Sequence, residues 1–422
     1  MAGRTVAVVG GGCAGVLATR ELLRCSDDRV VLIEPGEPGG GLAYGSARPW
    51  HLLNSRAGAM SADPDDPGAF VRWAGCEPGS FRPRLEYGQY LRAAFDEAAA
   101  AHDDRLTMAR AKATRLTTHG VALDDKSEIS VDDVVVATGN PAPAQPAARP
   151  DHPDYIADPW RPGVLEAIPT HVPVLLVGAG LTAVDVALTL TADGNRDAPI
   201  TAVSRSGRLP LTHTPVAAPP AQLQPSGTLR DLIRHVRVAA ATAGDWRAVV
   251  DGLRPSIDRL WGGFTRDEQD AFLRHLARHW ECHRHRMAPP VGARIDALRE
   301  EGRLEVRSGG VRSMTAPPAG GLLVELEAGV QWFGAVVNCA GPGRLPAAAG
   351  SFAGSLLDDG HARVGPHGLG LDVDAGGRLI GPDGRARENL WVIGPLRRGT
   401  QWETTAVPEI RAQARALIDR VN

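Results

Sequence analysis

Val6-Ala7-Val8-Val9-Gly10-Gly11-Gly12-Cys13-Ala14-Gly15 runs on through Val16 to Leu23 and returns as Val30-Val31-Leu32-Ile33-Glu34. This is the pattern of a strand, a glycine turn, a helix and a second strand. Gly10 allows the tight turn, Gly12 lets backbone approach a pyrophosphate, and Gly15 lets the helix pack closely on the strand. Cys13 and Ala14 open the helix, whose N-terminus presents unpaired N–H groups and the positive end of a dipole to phosphates. Glu34, followed by Pro35, closes the second strand and is placed to accept hydrogen bonds from the adenosine ribose hydroxyls.

Outward from that stretch, size and composition set limits. The chain has 422 residues, which suggests more than one domain, and a formal net charge of −3, which favours neither nucleic acid nor an anionic membrane as partner. Lys112 and Lys126 are the only lysines, both in peripheral segments, which argues against Schiff-base chemistry. The cysteines Cys13, Cys25, Cys76, Cys282 and Cys339 lie far apart without a C-x-x-C pair, as expected of a reducing, cytoplasmic setting rather than a dithiol redox centre. No run reaches the length of a membrane span.

Gly39-Gly40-Gly41-Leu42-Ala43-Tyr44-Gly45, His51-Leu52-Leu53-Asn54-Ser55 and Met60-Ser61 form an irregular stretch suited to lie along a flat ligand. Leu42, Ala43, Tyr44, His51, Leu53, Asn54, Met60 and Ser61 are its candidate cofactor contacts. A helix is expected over 87–101, with short strands at 106–116 and 120–123. The strand at 131–139 ends in Ala137-Thr138-Gly139, a small-residue turn of the kind that lets main chain pass close to a cofactor. Prolines from Pro141 to Pro153 then end regular structure.

The opening pattern recurs as Val174-Leu175-Leu176-Val177-Gly178-Ala179-Gly180-Leu181-Thr182-Ala183, a G-x-G-x-x-A variant, followed by a helix and a strand at 200–203. That strand ends in Ser204-Arg205-Ser206 instead of an acid. Arginine there fits a 2′-phosphate, so the second nucleotide reads as NADPH rather than NADH. From 228 to 298 the apolar spacing becomes helical, which marks an insertion, and strands resume at 304–306, 322–326 and 335–341. The tail holds Leu390-Trp391-Val392-Ile393-Gly394-Pro395 and a final helix starting near Thr404 or Thr405.

The expected fold is α/β, with two Rossmann-like dinucleotide-binding domains: an FAD domain built from both chain ends (1–165 and 341–422) and an inserted NAD(P)H domain (166–340) with a mainly helical insertion at about 211–298. Two cradles of different charge call for two nucleotides, FAD and NADPH, with hydride passing from nicotinamide to flavin N5. Thr404 and Thr405, either capping the last helix or aiming it at the flavin N1–C2=O edge, are further candidates, with Gly394 and Pro395.

Gly10-Gly11-Gly12-Cys13-Ala14-Gly15, Gly41-Leu42-Ala43-Tyr44-Gly45, His51-Leu52-Leu53-Asn54, Ala137-Thr138-Gly139, Gly178-Ala179-Gly180-Leu181-Thr182 and Gly394-Pro395-Leu396-Arg397-Arg398-Gly399-Thr400 together resemble the FAD/NAD(P)-binding family of bacterial two-dinucleotide flavoproteins. That family is similar in layout to flavin-containing and N-hydroxylating monooxygenases. The resemblance implies bound FAD and a pyridine nucleotide. Pro395 departs from the wider pattern, in which many relatives carry an aspartate to the ribityl chain.

Without a dithiol acceptor, oxygen is the expected electron acceptor: a flavin C4a-hydroperoxide would transfer one oxygen to a small metabolite, as in N- or S-hydroxylation, beneath the helical insertion. A reductase, oxidase or dehydrogenase using another small acceptor is the alternative, and a non-catalytic nucleotide-binding protein stands behind both. His283-Arg284-His285-Arg286 is the densest polar cluster, and its residues are the catalytic candidates: the arginines for NADPH phosphates or a substrate carboxylate, the histidines for proton transfer. The competing reading is a solvated, cationic helix end. His279 and His283 have metal-like spacing, but Glu281 is misplaced for H-E-x-x-H and no second ligand group is evident, so no metal is expected. Oligomeric state stays open.

Overall fold

The computed structural model describes residues 3–146, 149–225, 227–345 and 350–421. The first part of the chain supplies parallel strands β1 (Thr5–Val9), β2 (Arg29–Ile33), β3 (Leu106–Ala109) and β4 (Asp133–Val136), with helix α1 (Cys13–Cys25) joining β1 to β2 and α2 (Arg84–Ala101) preceding β3. The strands are runs of Val, Ile and Leu, as a sheet covered on both faces requires.

An inserted unit repeats the plan. It contains β5 (Tyr155–Ile156), β6 (Val174–Val177), β7 (Ile200–Ser204), β8 (Leu304–Ser308) and β9 (Ala335–Asn338), ordered β8-β7-β6-β9-β5 and all parallel, with α3 (Leu181–Leu190) joining β6 to β7. Tyr155–Ile156 thus pairs with the second sheet ten or so residues before the expected boundary at 165. The chain returns with β10 (Arg378–Ile380) and β11 (Ala386–Val392), completing the first sheet in the order β10-β11-β4-β1-β2-β3.

Both sheets reverse strand order beside their first strand, between β1 and β4 and between β6 and β9, and such switch points open the crevice in which doubly wound folds bind ligands. Each unit also carries a small antiparallel sheet, 113–130 between β3 and β4 in the first and 311–333 between β8 and β9 in the second. Apolar patterning did not anticipate the strands Val311–Thr315 and Gly329–Phe333, because both are largely exposed.

One core packs α1, α2 and the last helix, α10 below, on one face of the first sheet, and another covers its opposite face. The insertion between β7 and β8 holds α4 (Leu229–Thr242), α5 (Trp246–Leu253), α6 (Ile257–Gly263), α7 (Arg266–His275), α8 (Ala277–Arg284) and α9 (Pro289–Glu300). Reciprocal capping boxes, Thr228 with Asp231 and Thr265 with Glu268, start α4 and α7. α9 packs into the core of the inserted unit, whereas α5 and α6 build a separate cluster around Trp261 and Trp402.

The last helix, α10 (Val407–Val421), begins later than expected. Neither threonine caps it: Thr404 is buried with its hydroxyl used elsewhere, and Thr405 is exposed two residues ahead of the helix. Among the described residues, no helix is long and apolar enough to cross a membrane.

Candidate functional site

At the first switch point, Gly10 has φ +103°, and a Cβ there would lie 2.7 Å from the Ala137 carbonyl. Only glycine permits that conformation and that approach of β4. A Cβ on Gly15 would sit 1.7 Å from the Gly10 carbonyl, so helix and turn are in backbone contact. Gly12 ends in open space, its nearest neighbour being the Gly41 Cα at 3.7 Å, which leaves the first N–H groups of α1 uncovered. That opening fits a pyrophosphate. The Glu34 carboxylate is steered by two backbone donors, Gly11 N–H at 2.6 Å and Gly36 N–H at 2.9 Å, and each oxygen retains a lone pair for a ribose hydroxyl. Burial pushes the Cys13 thiol up to about 12, so no thiolate opposes a phosphate at this helix end.

Gly394 reaches the same place from the far end of the chain. Its φ is +82°, and a Cβ on it would come 3.3 Å from the Ala14 methyl, so the Gly394-Pro395 turn lies against the start of α1. A closed set of side-chain bonds holds it there. Gly394 N–H donates to Gln413 Oε1 (2.8 Å), the Gln413 amide donates to Thr404 Oγ1 (2.7 Å), and the Thr404 hydroxyl donates to the Gly394 carbonyl (2.8 Å). Ala137 is buried beside the turn, whereas Thr138 is exposed and Gly139, at φ +76°, faces open space.

The irregular stretch divides. Gly39 N–H donates to the Gly11 carbonyl at 2.9 Å, which lays the glycines across the turn, with Leu42 and Ala43 exposed and Tyr44 edge-on to Tyr87. His51 is buried between the domains, its Nδ1 accepting the Arg48 N–H and its Nε2 lying 2.9 Å from Thr189 Oγ1 of α3, so both nitrogens are engaged by protein groups. Leu53 and Met60 belong to the first core, and the Ser61 hydroxyl is used by the Asp63 and Asp66 carbonyls, so the side chains of these three are structural too. The Asn54 carbonyl meets His213 Nε2 of the inserted unit at 3.1 Å.

The second switch point repeats the geometry of the first. Gly178 has φ +125°, with a Cβ position 2.2 Å from the Cys339 carbonyl, and Gly180 has nothing within 4 Å in front of Leu181 and Thr182 at the start of α3. Arg205, just past β7, is exposed and, among the described residues, has no hydrogen bond or ion pair, and the flanking hydroxyls of Ser204 and Ser206 are buried without partners there. Two arginines that sequence reading missed join them. Arg278 of α8 donates to the Ala179 carbonyl at 2.9 Å, and Arg208 lies 2.8 Å from His279 Nδ1. Nothing local in the sequence signals Arg278, because it reaches the turn from the insertion.

The His283 to Arg286 cluster is not a solvated helix end. Arg284 and Arg286 are 7% and 2% exposed and paired, Arg284 with Glu403 at 3.0 Å and Arg286 with Asp251. Burial, then the charges of Arg284, Arg398, Arg254 and Arg286, push His285 down to about 3, so it is a neutral imidazole at any working pH. His283 Nδ1 lies 2.7 Å from the His279 carbonyl, and its ring packs edge-on to Trp246. Arg284–Glu403, the two-pronged Arg254–Glu409 contact (2.6 Å in each arm) and Arg398–Glu281 (2.8 Å) fasten the insertion to the Gly394 loop and to α10. A further interdomain pair, Arg84 Nη1 to Asp185 Oδ2 at 2.6 Å, joins α2 to α3.

Two parallel sheets, each with a positive-φ glycine and an open helix N-terminus at its switch point, define a fold of two dinucleotide-binding units. Residues 7–141 match the FAD-NAD(P)-binding family. No curated protein matches the chain in sequence. Among solved structures it is similar to the ornithine hydroxylase of Pseudomonas aeruginosa, at 14% identity and TM-score 0.63, with 99% of this chain and 98% of that chain covered. It is also similar to the cadaverine monooxygenase of Erwinia amylovora that was solved bound to FAD, at 12% identity, TM-score 0.69 and coverages of 99% and 94%. The ornithine N-hydroxylase of Kutzneria sp. 744, whose structure carries reduced FAD, NADP+ and L-ornithine, aligns at 15% identity and TM-score 0.64 over 99% of both chains.

Proposed function

We propose that this protein is an FAD-dependent, NADPH-using monooxygenase of a small organic substrate. The observation that carries the reading is the contrast between the cradles: a backbone-steered carboxylate, Glu34, at the second strand of one, and an unpaired guanidinium, Arg205, at the same place in the other. FAD would lie along Gly10, Gly12, Cys13, Ala14 and Gly15, with its ribose at Glu34 and Pro35, its isoalloxazine toward Ala137, Thr138, Gly139, Gly394 and Pro395, and Leu42, Ala43, Tyr44 and Asn54 along its edge. NADPH would lie along Gly178, Gly180, Leu181 and Thr182, with its 2′-phosphate between Ser204 and Arg205. Once bound, the flavin supplies hydride acceptance and oxygen activation; the protein supplies position and cover. The Gln413–Thr404–Gly394 bonds hold the turn that would meet the ring, and the ion-paired insertion would cover it.

The shared fold of the ornithine and cadaverine hydroxylases supports this reading. So does the cysteine chemistry: all five thiols are free, and the two buried at the cradles, Cys13 and Cys339, are held protonated by burial, which leaves a disulfide reductase no reactive pair. The test is to purify the protein, record its visible spectrum, and follow NADPH and NADH oxidation in air while hydrogen peroxide is measured. A yellow protein that oxidises NADPH in preference to NADH is expected. Colourless protein without NADPH turnover refutes the proposal, and peroxide matching NADPH consumed across every substrate tried assigns an oxidase instead.

A further inference from the structure

The insertion encloses a cavity of about 460 Å³, within the range of small-molecule sites. Its walls are aliphatic side chains of α4, α5 and α6 together with four indoles, Trp246, Trp261, Trp280 and Trp402. α4 buries only Leu229 yet turns Leu232, Val236 and Ala240 to the hollow, so it covers the cavity as a lid. The far wall lies against the flavin cradle. Trp261 Nε1 donates to the Gly399 carbonyl at 3.0 Å, and Trp402 stands on the loop whose Thr404 hydroxyl bonds Gly394.

The polar groups at the cavity have one character. Arg237 carries no ion pair among the described residues, and His279, His283 and the indole of Trp280 complete the polar lining. Among the described lining residues none is a carboxylate. An ammonium group brought into this hollow would lose its hydration and meet no counter-charge.

We infer that this cavity is the substrate site, and that its substrate is a predominantly apolar molecule, any anionic oxygen of which is received by Arg237, rather than an aliphatic diamine or amino acid. The inference rests on the monooxygenase reading for the word substrate; the binding chemistry stands on the cavity alone.

Calorimetric titration of the FAD-loaded protein with decan-2-one, decanoate, cadaverine and L-ornithine tests it without turnover. The ketone or the carboxylate should bind saturably, and the two amines should show no heat at about 100-fold higher concentration. Ala240→Phe, which fills the cavity from the lid helix, should weaken the apolar probes at least about tenfold. Val236→Trp, which blocks the hollow one turn earlier on the same helix, should weaken them to a similar degree. Arg237→Gln separates the sources: loss for decanoate alone assigns a carboxylate, and no loss assigns a neutral acceptor such as a ketone. Amine binding equal to that of the apolar probes, or probe affinity unchanged in both Ala240→Phe and Val236→Trp, overturns the inference. Intact probe binding in a protein that never oxidises NADPH would overturn the monooxygenase reading and leave the site standing.

Discussion

Replacing Arg205 by alanine isolates the group proposed to distinguish the two nicotinamide nucleotides. Its guanidinium is exposed and unpaired, so removal strands no buried charge, and stability should hold within about 0.5 kcal/mol, as for ordinary surface changes. Hydrogen bonds to a charged group contribute about 1.5–3 kcal/mol, and exposure with salt screening puts this contact at the lower end, about 1.5–2 kcal/mol. At about 1.4 kcal/mol per decade, the dissociation constant for NADPH should rise roughly 10- to 30-fold, while that for NADH moves less than about twofold. The Ser204 and Ser206 hydroxyls remain as neutral donors, so a small preference for NADPH survives. Titration of the FAD-loaded protein with each nucleotide, at low and high salt, reads the difference directly. Equal losses for the two nucleotides, or a difference indifferent to salt, would show that Arg205 does not read the 2′-phosphate.

Other perturbations follow from the same structure. Arg84→Met leaves the Asp185 carboxylate, 3% exposed, without its cation and should cost about 3–5 kcal/mol in thermal unfolding, with Asp185→Asn in the same chain restoring part of the loss; an unchanged Tm would mean the pair carries no interdomain energy. Gly10→Ala forces a Cβ onto the Ala137 carbonyl at a positive φ, so the protein should be recovered with little or no flavin absorbance, and full yellow colour would contradict the assigned cradle. Burial, opposed by Arg4, raises the Asp133 carboxyl from 3.8 to about 6. The folded state therefore holds a proton that the unfolded chain has lost between about pH 4 and 6; stability falls as pH rises through that window, and above it the penalty levels off at up to about 3 kcal/mol. Asp133→Asn should accordingly raise Tm at pH 7.5 but not at pH 4, and an equal shift at both would refute the assignment.

What could be read from the sequence was whatever chemistry lies within one supersecondary unit. Gly10, Gly12 and Gly15, and again Gly178 and Gly180, are required by turn geometry and backbone approach over a few residues, and Glu34 and Arg205 declare themselves by ending the second strand of each repeat. The helical insertion was legible because its apolar residues keep helical spacing over 228–298. His51, Met60 and Ser61 were not legible as structural residues, since small polar and apolar groups in a long loop look alike whether they line a ligand or fill a core.

The His283 to Arg286 cluster shows why. A run of cations reads as a solvated or ligand-binding face until its counter-charges are known, and Arg284 finds its own in Glu403, 119 residues away. Arg278 reaches the Ala179 carbonyl across 99 residues, and Trp402 closes a cavity whose other walls lie more than 100 residues earlier. Local periodicity and turn chemistry are written in neighbouring residues, so the sequence alone determined the two cradles and the charge at each. Which side chains stay free, which are neutralised and what the insertion encloses depend on how remote segments dock, and only the tertiary structure decided them.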